Sequence, residues 1–270
     1  MNRYASPLVV KYGGNAMPAC SERAADPILA EVAALWRAGW AIVVVHGGGP
    51  EIDVALQLRG IATQRFEGMR VTDEATLEVT EGVLCGNVNK RIVRECISLG
   101  LPAVGVSGQD GGTLVARRLR ASDGADLGYV GEIIGADCGL VTALLDAGFL
   151  PVVAPLAVAS DAAHAFNVNA DLAAAAIAVA LKASAFVAVT NVPRVLRELD
   201  DPNSGIASLT PLEAAEFAAT DACNSSMKPK LNAAASAARD GVGAAYICAA
   251  RPNAIASALA GDATIVRAAS

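Results

Sequence analysis

The alternation of short apolar runs with helix-like segments limits the folds open to this chain more than any other feature. Six runs rich in β-branched residues are predicted as strands, at residues 8–11, 41–45, 103–106, 150–154, 186–190 and 244–248. Seven segments with helical apolar spacing lie among them, at residues 24–38, 51–58, 73–99, 140–147, 171–182, 212–219 and 229–240. This order predicts an α/β protein whose open, mainly parallel central sheet lies between two layers of helices, in three layers α/β/α.

One segment, residues 113–134, breaks this alternation. Two strand-like stretches flank a turn rich in Asp and Gly, which predicts a β-hairpin. We expect this hairpin to be an insertion at the periphery of the fold. No linker rich in Pro, Gly or Ser divides the chain, so a boundary between two lobes must fall within continuous structure, near residues 171–182.

Composition limits the partners that the chain can bind. The 21 basic and 27 acidic residues give a net charge of −6, which disfavours nucleic acid and anionic membranes, so any phosphate site must be local. No apolar stretch approaches the roughly 20 residues of a membrane span, and the N-terminus lacks the apolar core of a signal peptide. The six scattered cysteines and two separate histidines predict neither a disulfide framework nor a zinc site. We therefore expect a soluble cytoplasmic protein.

Two of the apolar runs end in glycine-rich motifs that are typical of anion binding. The first ends in Lys11-Tyr12-Gly13-Gly14, and the second ends in His46-Gly47-Gly48-Gly49-Pro50. Glycines let backbone N–H groups approach an anion without a Cβ in the way, and the lysine adds a positive charge. Ligands of parallel sheets bind at the carboxyl ends of the strands. The pair of motifs predicts a phosphoryl group held from two sides; a tight turn without a ligand is the alternative for either motif alone.

Four further residues carry groups that suit the same site. Asn167 and Asp171 follow an apolar strand, so Asn167 could bind a substrate while Asp171 holds a lysine in place. Lys230 lies in the first turn of a predicted helix, where the helix dipole favours an anion. Arg70 precedes the long helix, and its planar guanidinium could select a carboxylate. For each residue alone, a helix cap or a solvated charge is the alternative.

Together these motifs resemble those of the N-acetylglutamate kinases, a branch of the amino acid kinase family. The matching segments, in chain order, are Lys11-Tyr12-Gly13-Gly14-Asn15-Ala16-Met17, His46-Gly47-Gly48-Gly49-Pro50, Gly68-Met69-Arg70-Val71-Thr72-Asp73, Val88-Asn89-Lys90 and Asn167-Val168-Asn169-Ala170-Asp171. The resemblance implies an acid-binding and dimerising lobe at residues 1–175 and an ATP-binding lobe at 176–270. The implied reaction transfers the γ-phosphoryl group of MgATP to the side-chain carboxylate of N-acetyl-L-glutamate, in arginine biosynthesis.

The resemblance also implies a role for individual residues. Lys11 and Lys230 would stabilise the transferring phosphoryl group, and Asp171 would organise both lysines. Phosphate would be bound by Gly13, Gly14 and Gly47, the acid substrate by Gly48, Gly49, Arg70 and Asn167, and the nucleotide by Asn191, Val192, Arg194, Leu196 and Met227. Mg²⁺ would be held mainly by the phosphates of ATP, with no protein metal site of its own.

Two segments depart from the family pattern. Thr190-Asn191-Val192-Pro193-Arg194 replaces the usual Thr-Asp-Val-x-Gly, and Ser225-Ser226-Met227 replaces Gly-Gly-Met. In this respect the chain is more similar to the sister kinase for aminoadipate attached to a small acidic carrier protein. A kinase for carrier-bound aminoadipate or glutamate, with a basic rim at Arg117, Arg118 and Arg120, is therefore one alternative. A regulatory homologue that has lost turnover is the other.

The resemblance leads to an expectation about assembly. Arginine-inhibited members of this family carry an extra N-terminal helix that links dimers into a hexamer, whereas here Met1 to Pro7 precede the first strand, too few for a stable helix. We expect a homodimer, insensitive to millimolar arginine and joined through helices of the N-terminal lobe, such as the one that contains Val79, Val83 and Leu84. The alternative is that these apolar residues face the core of their own chain. Light scattering and an arginine titration of the rate test this expectation, which a hexamer or strong inhibition by arginine would contradict.

Overall fold

The computed structural model describes residues 6–17, 26–66, 68–121, 123–160 and 164–268. The strands in these ranges are β1 (Leu8–Tyr12), β2 (Ile42–His46), β3 (Arg65–Phe66), β4 (Met69–Arg70), β5 (Ala103–Ser107), β6 (Leu114–Arg120), β7 (Asp126–Ala136), β8 (Leu150–Ala154), β9 (Leu156–Ala159), β10 (Ala165–Asn167), β11 (Ala185–Thr190), β12 (Ser208–Leu209), β13 (Ala245–Ala249) and β14 (Thr264–Val266). The first five residues and the start of the first predicted helix, at 24–25, lie outside the described residues.

The helices of the described ranges match the predicted ones in number and place, with one addition. They are α1 (Pro27–Arg37), α2 (Gly49–Leu58), α3 (Glu74–Glu81), α4 (Asn89–Ser98), α5 (Gly139–Asp146), α6 (Ala170–Ala180), α7 (Pro211–Ala219), α8 (Lys228–Arg239) and α9 (Ala254–Leu259). The added helix is α9, and α3 and α4 together form the predicted helix at 73–99. In this part of the chain no helix is long and apolar enough to cross a membrane.

The central sheet has eight strands in the order β12-β14-β13-β11-β1-β2-β8-β5. The pairs from β13 to β5 are all parallel, and β14 runs antiparallel to β13. All six predicted strands belong to this sheet, so the prediction of an open, mainly parallel sheet is confirmed. Strands from the first 154 residues form one half and those after residue 184 form the other. The sheet is continuous across both halves, and the lobe boundary at 175 stays a prediction.

Alternate residues of the central strands face two different cores. Val9 belongs to a core that includes residues of α5, α6, α7 and α8. Leu8 and Val10 belong to the other core, which includes residues of α1, α2, α3, α4 and α9. Because both faces are covered by helices, the central strands are apolar on both sides. The predicted three-layer arrangement is therefore confirmed.

The predicted hairpin forms, as β6 and β7, but the prediction that it is peripheral is wrong. With β9 and β10 it closes into a four-stranded ring, in the order β10-β7-β6-β9. Val130 of β7 pairs with Asn167 at the end of β10, just before α6. The sequence did not reveal this ring because β9 and β10 are only four and three residues long.

The long helix contains a π-helical segment, Gly82–Val88, between α3 and α4. Such a segment changes which residues share a face of the helix, and it is frequent at functional sites. Val79, Val83 and Leu84 are each at most 4% exposed and pack into the core of this chain. These three residues therefore serve the core of their own chain, which was the alternative, and the homodimer stays a prediction.

Candidate active site

A cleft of about 540 Å³ lies at the carboxyl ends of β1 and β2. These neighbouring parallel strands pair in register through Tyr12 and His46, and the Gly47 N–H donates to the Tyr12 carbonyl over 3.2 Å. The glycine motifs that follow both strands therefore lie side by side. Gly14 and Gly47 both line the cleft, together with Lys11.

Gly13 allows the two glycine loops to touch. A Cβ at this position would lie 2.3 Å from the backbone nitrogen of Gly47, a distance that no real Cβ contact reaches. Gly13 is not among the residues that line the cleft. The structure therefore gives Gly13 a packing role that the sequence did not reveal, and its predicted contact with phosphate gains no support.

Two buried polar residues, His46 and Asn89, support the second glycine loop, which begins at Gly47. His46 Nδ1 lies 2.8 Å from the carbonyl oxygen of Gly47, and Asn89 Nδ2 lies 3.2 Å from His46 Nε2. Burial lowers the pKa of His46 to about 4, so the ring is neutral at pH 7. These partners fit a ring that donates from Nδ1 to Gly47 and accepts from Asn89 at Nε2. Asn89 also donates to the Val152 carbonyl of β8, over 2.9 Å.

Lys11, Asp171 and Lys230 form one cluster of charges in the cleft. Lys11 Nζ lies 3.0 Å from Asp171 Oδ1, and Lys230 Nζ lies 3.1 Å from Oδ2. Burial acts to raise the pKa of Asp171, but the two ammonium groups outweigh it and hold this pKa below its usual range. Burial also lowers the pKa of Lys230, against the opposing pull of Asp171. Because two ammonium groups share one carboxylate, the cluster carries one excess positive charge.

Three helices, α2, α6 and α8, begin at the cleft. Gly48 and Gly49 at the start of α2, Ala170 at the start of α6 and Pro229 in the first turn of α8 all line it. The side chain of Asn169 caps α6, because its oxygen accepts hydrogen bonds from the backbone N–H groups of Asp171 and Leu172. Helix N-termini carry partial positive charge, which adds to that of the lysines. This end of the cleft is therefore suited to phosphate.

The other predicted acid-binding groups also line the cleft. Arg70 is 7% exposed, with Nη1 2.6 Å from Asp53 Oδ1 and Nη2 donating to the Gly49 carbonyl over 3.2 Å. Asn167 donates to the Thr72 hydroxyl over 3.2 Å, and this hydroxyl donates to the Arg70 carbonyl over 2.8 Å. The structure therefore brings together all four predicted substrate residues, Gly48, Gly49, Arg70 and Asn167.

Four of the five predicted nucleotide residues line a second pocket, of about 190 Å³: Val192, Arg194, Leu196 and Met227. The segment before α8 joins this pocket to the cleft, because Ser225 and Ser226 line the cleft while Met227 lines the pocket. Asn191 does not line the pocket; its side-chain oxygen accepts a hydrogen bond from the Thr190 hydroxyl over 3.2 Å.

The cleft also contains residues that sequence reasoning missed. Val130 and Gly131 reach it through the ring of β6, β7, β9 and β10, whose closure was not predicted. Arg65 reaches it from β3. The glycine between Arg65 and Arg70 is the signal that could have revealed this hairpin, since Gly68 has a φ of 81°, a conformation typical of glycine in tight turns.

Known proteins with similar sequences point to one family. A model of the amino acid kinase family matches residues 6–249. The acetylglutamate kinase of Rubrobacter xylanophilus is 42% identical over 262 residues, which are 96% of this chain and 96% of that protein. The acetylglutamate kinase of Brevibacillus brevis is 41% identical over 242 residues, 89% of this chain and 88% of that protein.

Two solved structures show that this fold also occurs in proteins of known structure. An N-acetylglutamate synthase from Neisseria gonorrhoeae, complexed with coenzyme A and N-acetyl-glutamate, matches with a TM-score of 0.82 and 25% identity. The match covers 99% of this chain, which spans 61% of the length of that synthase. A carbamate kinase from Giardia lamblia, bound to AMP-PNP, matches over 100% of both chains with a TM-score of 0.74. At 16% identity, this second match shows the fold alone.

We predict that Gly13→Ala lowers the free energy of unfolding by about 1–3 kcal/mol, because the new methyl group overpacks the contact with Gly47. Chemical denaturation measures this change. Gly82→Ala is the matched control, because a Cβ there meets nothing within 4 Å. Equal stability of Gly13→Ala and the unmodified protein would contradict the packing role of Gly13.

Proposed function

The chain belongs to the amino acid kinase family, and from this premise we propose that it transfers the γ-phosphoryl group of ATP to the side-chain carboxylate of N-acetyl-L-glutamate. The observation that carries the proposal is the Lys11–Asp171–Lys230 cluster, which lies in one cleft with both glycine loops and Arg70. The relatives named acetylglutamate kinase, at about 40% identity over most of the chain, support this choice of acceptor.

The chemistry of a carboxylate acceptor suits the groups in the cleft. A carboxylate is already ionised at neutral pH and needs no general base to become a nucleophile. Asp171 is committed to the two lysines, and its lowered pKa makes it a poor proton acceptor. Catalysis then reduces to holding the two substrates in line and stabilising the charge of the transferring group.

Lys11 and Lys230 are the groups best placed to stabilise that charge. Asp171 fixes both ammonium groups, which would otherwise move on flexible chains, and the excess positive charge of the cluster remains for an anion. The backbone N–H group of Gly14 would add a further donor to the phosphate site, whereas the N–H of Gly47 already donates to the Tyr12 carbonyl. Such preorganised charges stabilise the transition state without a cost of reorganisation.

The nucleotide would extend from this cluster into the pocket formed by Val192, Arg194, Leu196 and Met227. Among the described residues that line the cleft, Asp171 is the one carboxylate, and both its oxygens contact lysines. A Mg²⁺ ion that accompanies ATP would therefore be held mainly by the phosphates. When bound, it would supply positive charge that neutralises part of the charge of the phosphates.

The two alternatives have less support in the structure. A carrier-protein substrate needs a basic rim. Two of the three arginines expected there are paired with carboxylates, Arg117 with Glu132 over 2.7 Å and Arg118 with Asp126 over 3.2 Å, which reduces the positive charge of the rim. A homologue without turnover would be expected to lose part of the charged cluster, which is complete here. A homodimer and a cytoplasmic location are further proposals, and both rest on the resemblance to the family.

Coupled ADP release tests the function with N-acetylglutamate, glutamate, aspartate and aminoadipate compared side by side. We expect N-acetylglutamate to give by far the highest kcat/KM. Hydroxylamine in a parallel reaction converts an acyl phosphate to a hydroxamate and so distinguishes carboxyl phosphorylation from simple ATP hydrolysis. The absence of turnover with every free amino acid would overturn the proposal in favour of a carrier-bound substrate or a homologue without turnover.

We predict that Lys11→Ala and Lys230→Ala each lower kcat by about two to three orders of magnitude, the usual effect of removing one preorganised charge-stabilising donor. Steady-state kinetics at saturating substrates measures this loss. Lys182→Ala is the matched control, since Lys182 is exposed and lies just beyond the end of α6 that is away from the cleft. A near-normal kcat with unchanged melting, in either cleft variant, would refute the role of that lysine.

We predict that Arg70→Lys raises the KM for the acid roughly tenfold, because an ammonium group cannot replace the planar fork of a guanidinium. The KM for ATP should hardly change. Initial rates at varied acid and fixed, saturating ATP give the result. If the KM for the acid is unchanged, another group binds the carboxylate.

A further inference from the structure

A second arginine, Arg65, lies opposite Arg70 at the edge of the cleft. β3 and β4 pair antiparallel, with Arg65 directly across from Arg70. Like charges in this position repel each other unless another group compensates them. Both arginines line the cleft, but the Arg65 side chain is 45% exposed and the Arg70 side chain only 5%. Arg65 is therefore the more accessible of the two to a ligand.

Asp53 of α2 joins the two arginines. Its Oδ1 lies 2.6 Å from Arg70 Nη1, and Arg65 Nη2 lies 3.2 Å and 2.9 Å from the two carboxylate oxygens. Burial opposes ionisation of Asp53, but both guanidinium groups outweigh it and hold the pKa of Asp53 below its usual range. The carboxylate is therefore ionised at neutral pH, and the group of three carries one excess positive charge.

The charge balance of this group depends on Arg65. Without Arg65, the negative charge of Asp53 would cancel that of Arg70, and a carboxylate that approached Arg70 would also meet Asp53. With Arg65 present, Asp53 is neutralised and one positive charge remains for an anion. This excess charge lies in the same cleft as that of the lysine cluster and involves different residues, which suits an acid with two carboxylates.

We propose that Arg65 and Arg70 together bind the non-reacting carboxylate of the acid substrate, with Asp53 as the positioning residue for both. The proposal rests on the proposed function for the identity of that acid, N-acetylglutamate. Two guanidinium groups present planar, bidentate donors that match a carboxylate. Arg65 thereby determines specificity for acceptors that carry a second carboxylate.

The test uses Arg65→Gln with two acceptors that differ by one group. 4-Acetamidobutyrate is N-acetylglutamate without its α-carboxylate, so it lacks the group that the arginines would bind. We expect the variant to raise the KM for N-acetylglutamate about tenfold, with kcat within about twofold, and to leave kcat/KM for 4-acetamidobutyrate unchanged. Arg65→Lys keeps the positive charge but lacks the planar guanidinium, so its KM for N-acetylglutamate should lie between those of the unmodified protein and Arg65→Gln.

Arg239→Gln is the matched control. Arg239 also pairs with an aspartate, Asp240, over 2.9 Å, and it lies at the opposite end of α8 from the cleft. The Arg239→Gln variant makes the same change in net charge as Arg65→Gln, and it should leave the KM for N-acetylglutamate and the KM for 4-acetamidobutyrate unchanged. If Arg65→Gln has no effect, or changes kcat/KM for both acceptors by the same factor, the proposal is overturned while the proposed function stands.

Calorimetric titration with N-acetylglutamate in the absence of nucleotide separates the two hypotheses. If the protein binds N-acetylglutamate about tenfold more tightly than Arg65→Gln does but transfers no phosphoryl group to it, the proposed function fails and the arginine site is supported. If the protein and the variant bind it equally, the arginine site is overturned whatever the rate. If neither binds it, both hypotheses fail.

Discussion

The burial of Asp171 between two lysines is the interaction on which the rest of the site depends. It joins Lys11 of β1 and Lys230 of α8 through the first turn of α6, and so ties together segments from both halves of the sheet. Removing one partner of a buried ion pair leaves an uncompensated charge, which is strongly unfavourable. Here a carboxylate that is 4% exposed has two partners, so the same arrangement connects the two halves of the sheet and leaves one positive charge in the cleft.

The fold concentrates further positive potential around this cluster. Parallel pairing of β1 and β2 brings the glycine loops together, and three helices begin where these strands end. The absence of a side chain at Gly13 lets the two loops touch. Neutral His46 contacts the carbonyl of Gly47 and is itself contacted by Asn89, so both residues fix the position of the second loop. A protein with a net charge of −6 can therefore bind phosphate, because the favourable charges are local.

The central part of this arrangement could be predicted from the sequence. Apolar runs of five residues are long enough to identify as strands, and Lys11, Asp171 and Lys230 stand at strand or helix ends, where parallel sheets place ligands. The closure of the ring was missed because two of its strands, β9 and β10, have only four and three residues and carry too little periodicity. Arg65 was missed for a related reason: its place in the cleft depends on the β3–β4 pairing and on Asp53, which lies on a different helix. Val79, Val83 and Leu84, which were expected at a dimer contact, pack into the core of their own chain, and apolar helical spacing alone does not distinguish these two roles.

The pH dependence of kcat in Asp171→Asn tests most directly whether Asp171 maintains the charge of the lysines. Asp171 opposes the lowering of the Lys230 pKa by burial, so an isosteric amide should lower this pKa further. If catalysis needs the Lys230 ammonium group, the alkaline limb of the kcat profile should shift to lower pH. Thermal melting of the variant at neutral pH controls for folding. An alkaline limb at the same pH as in the unmodified protein would contradict the central role of Asp171.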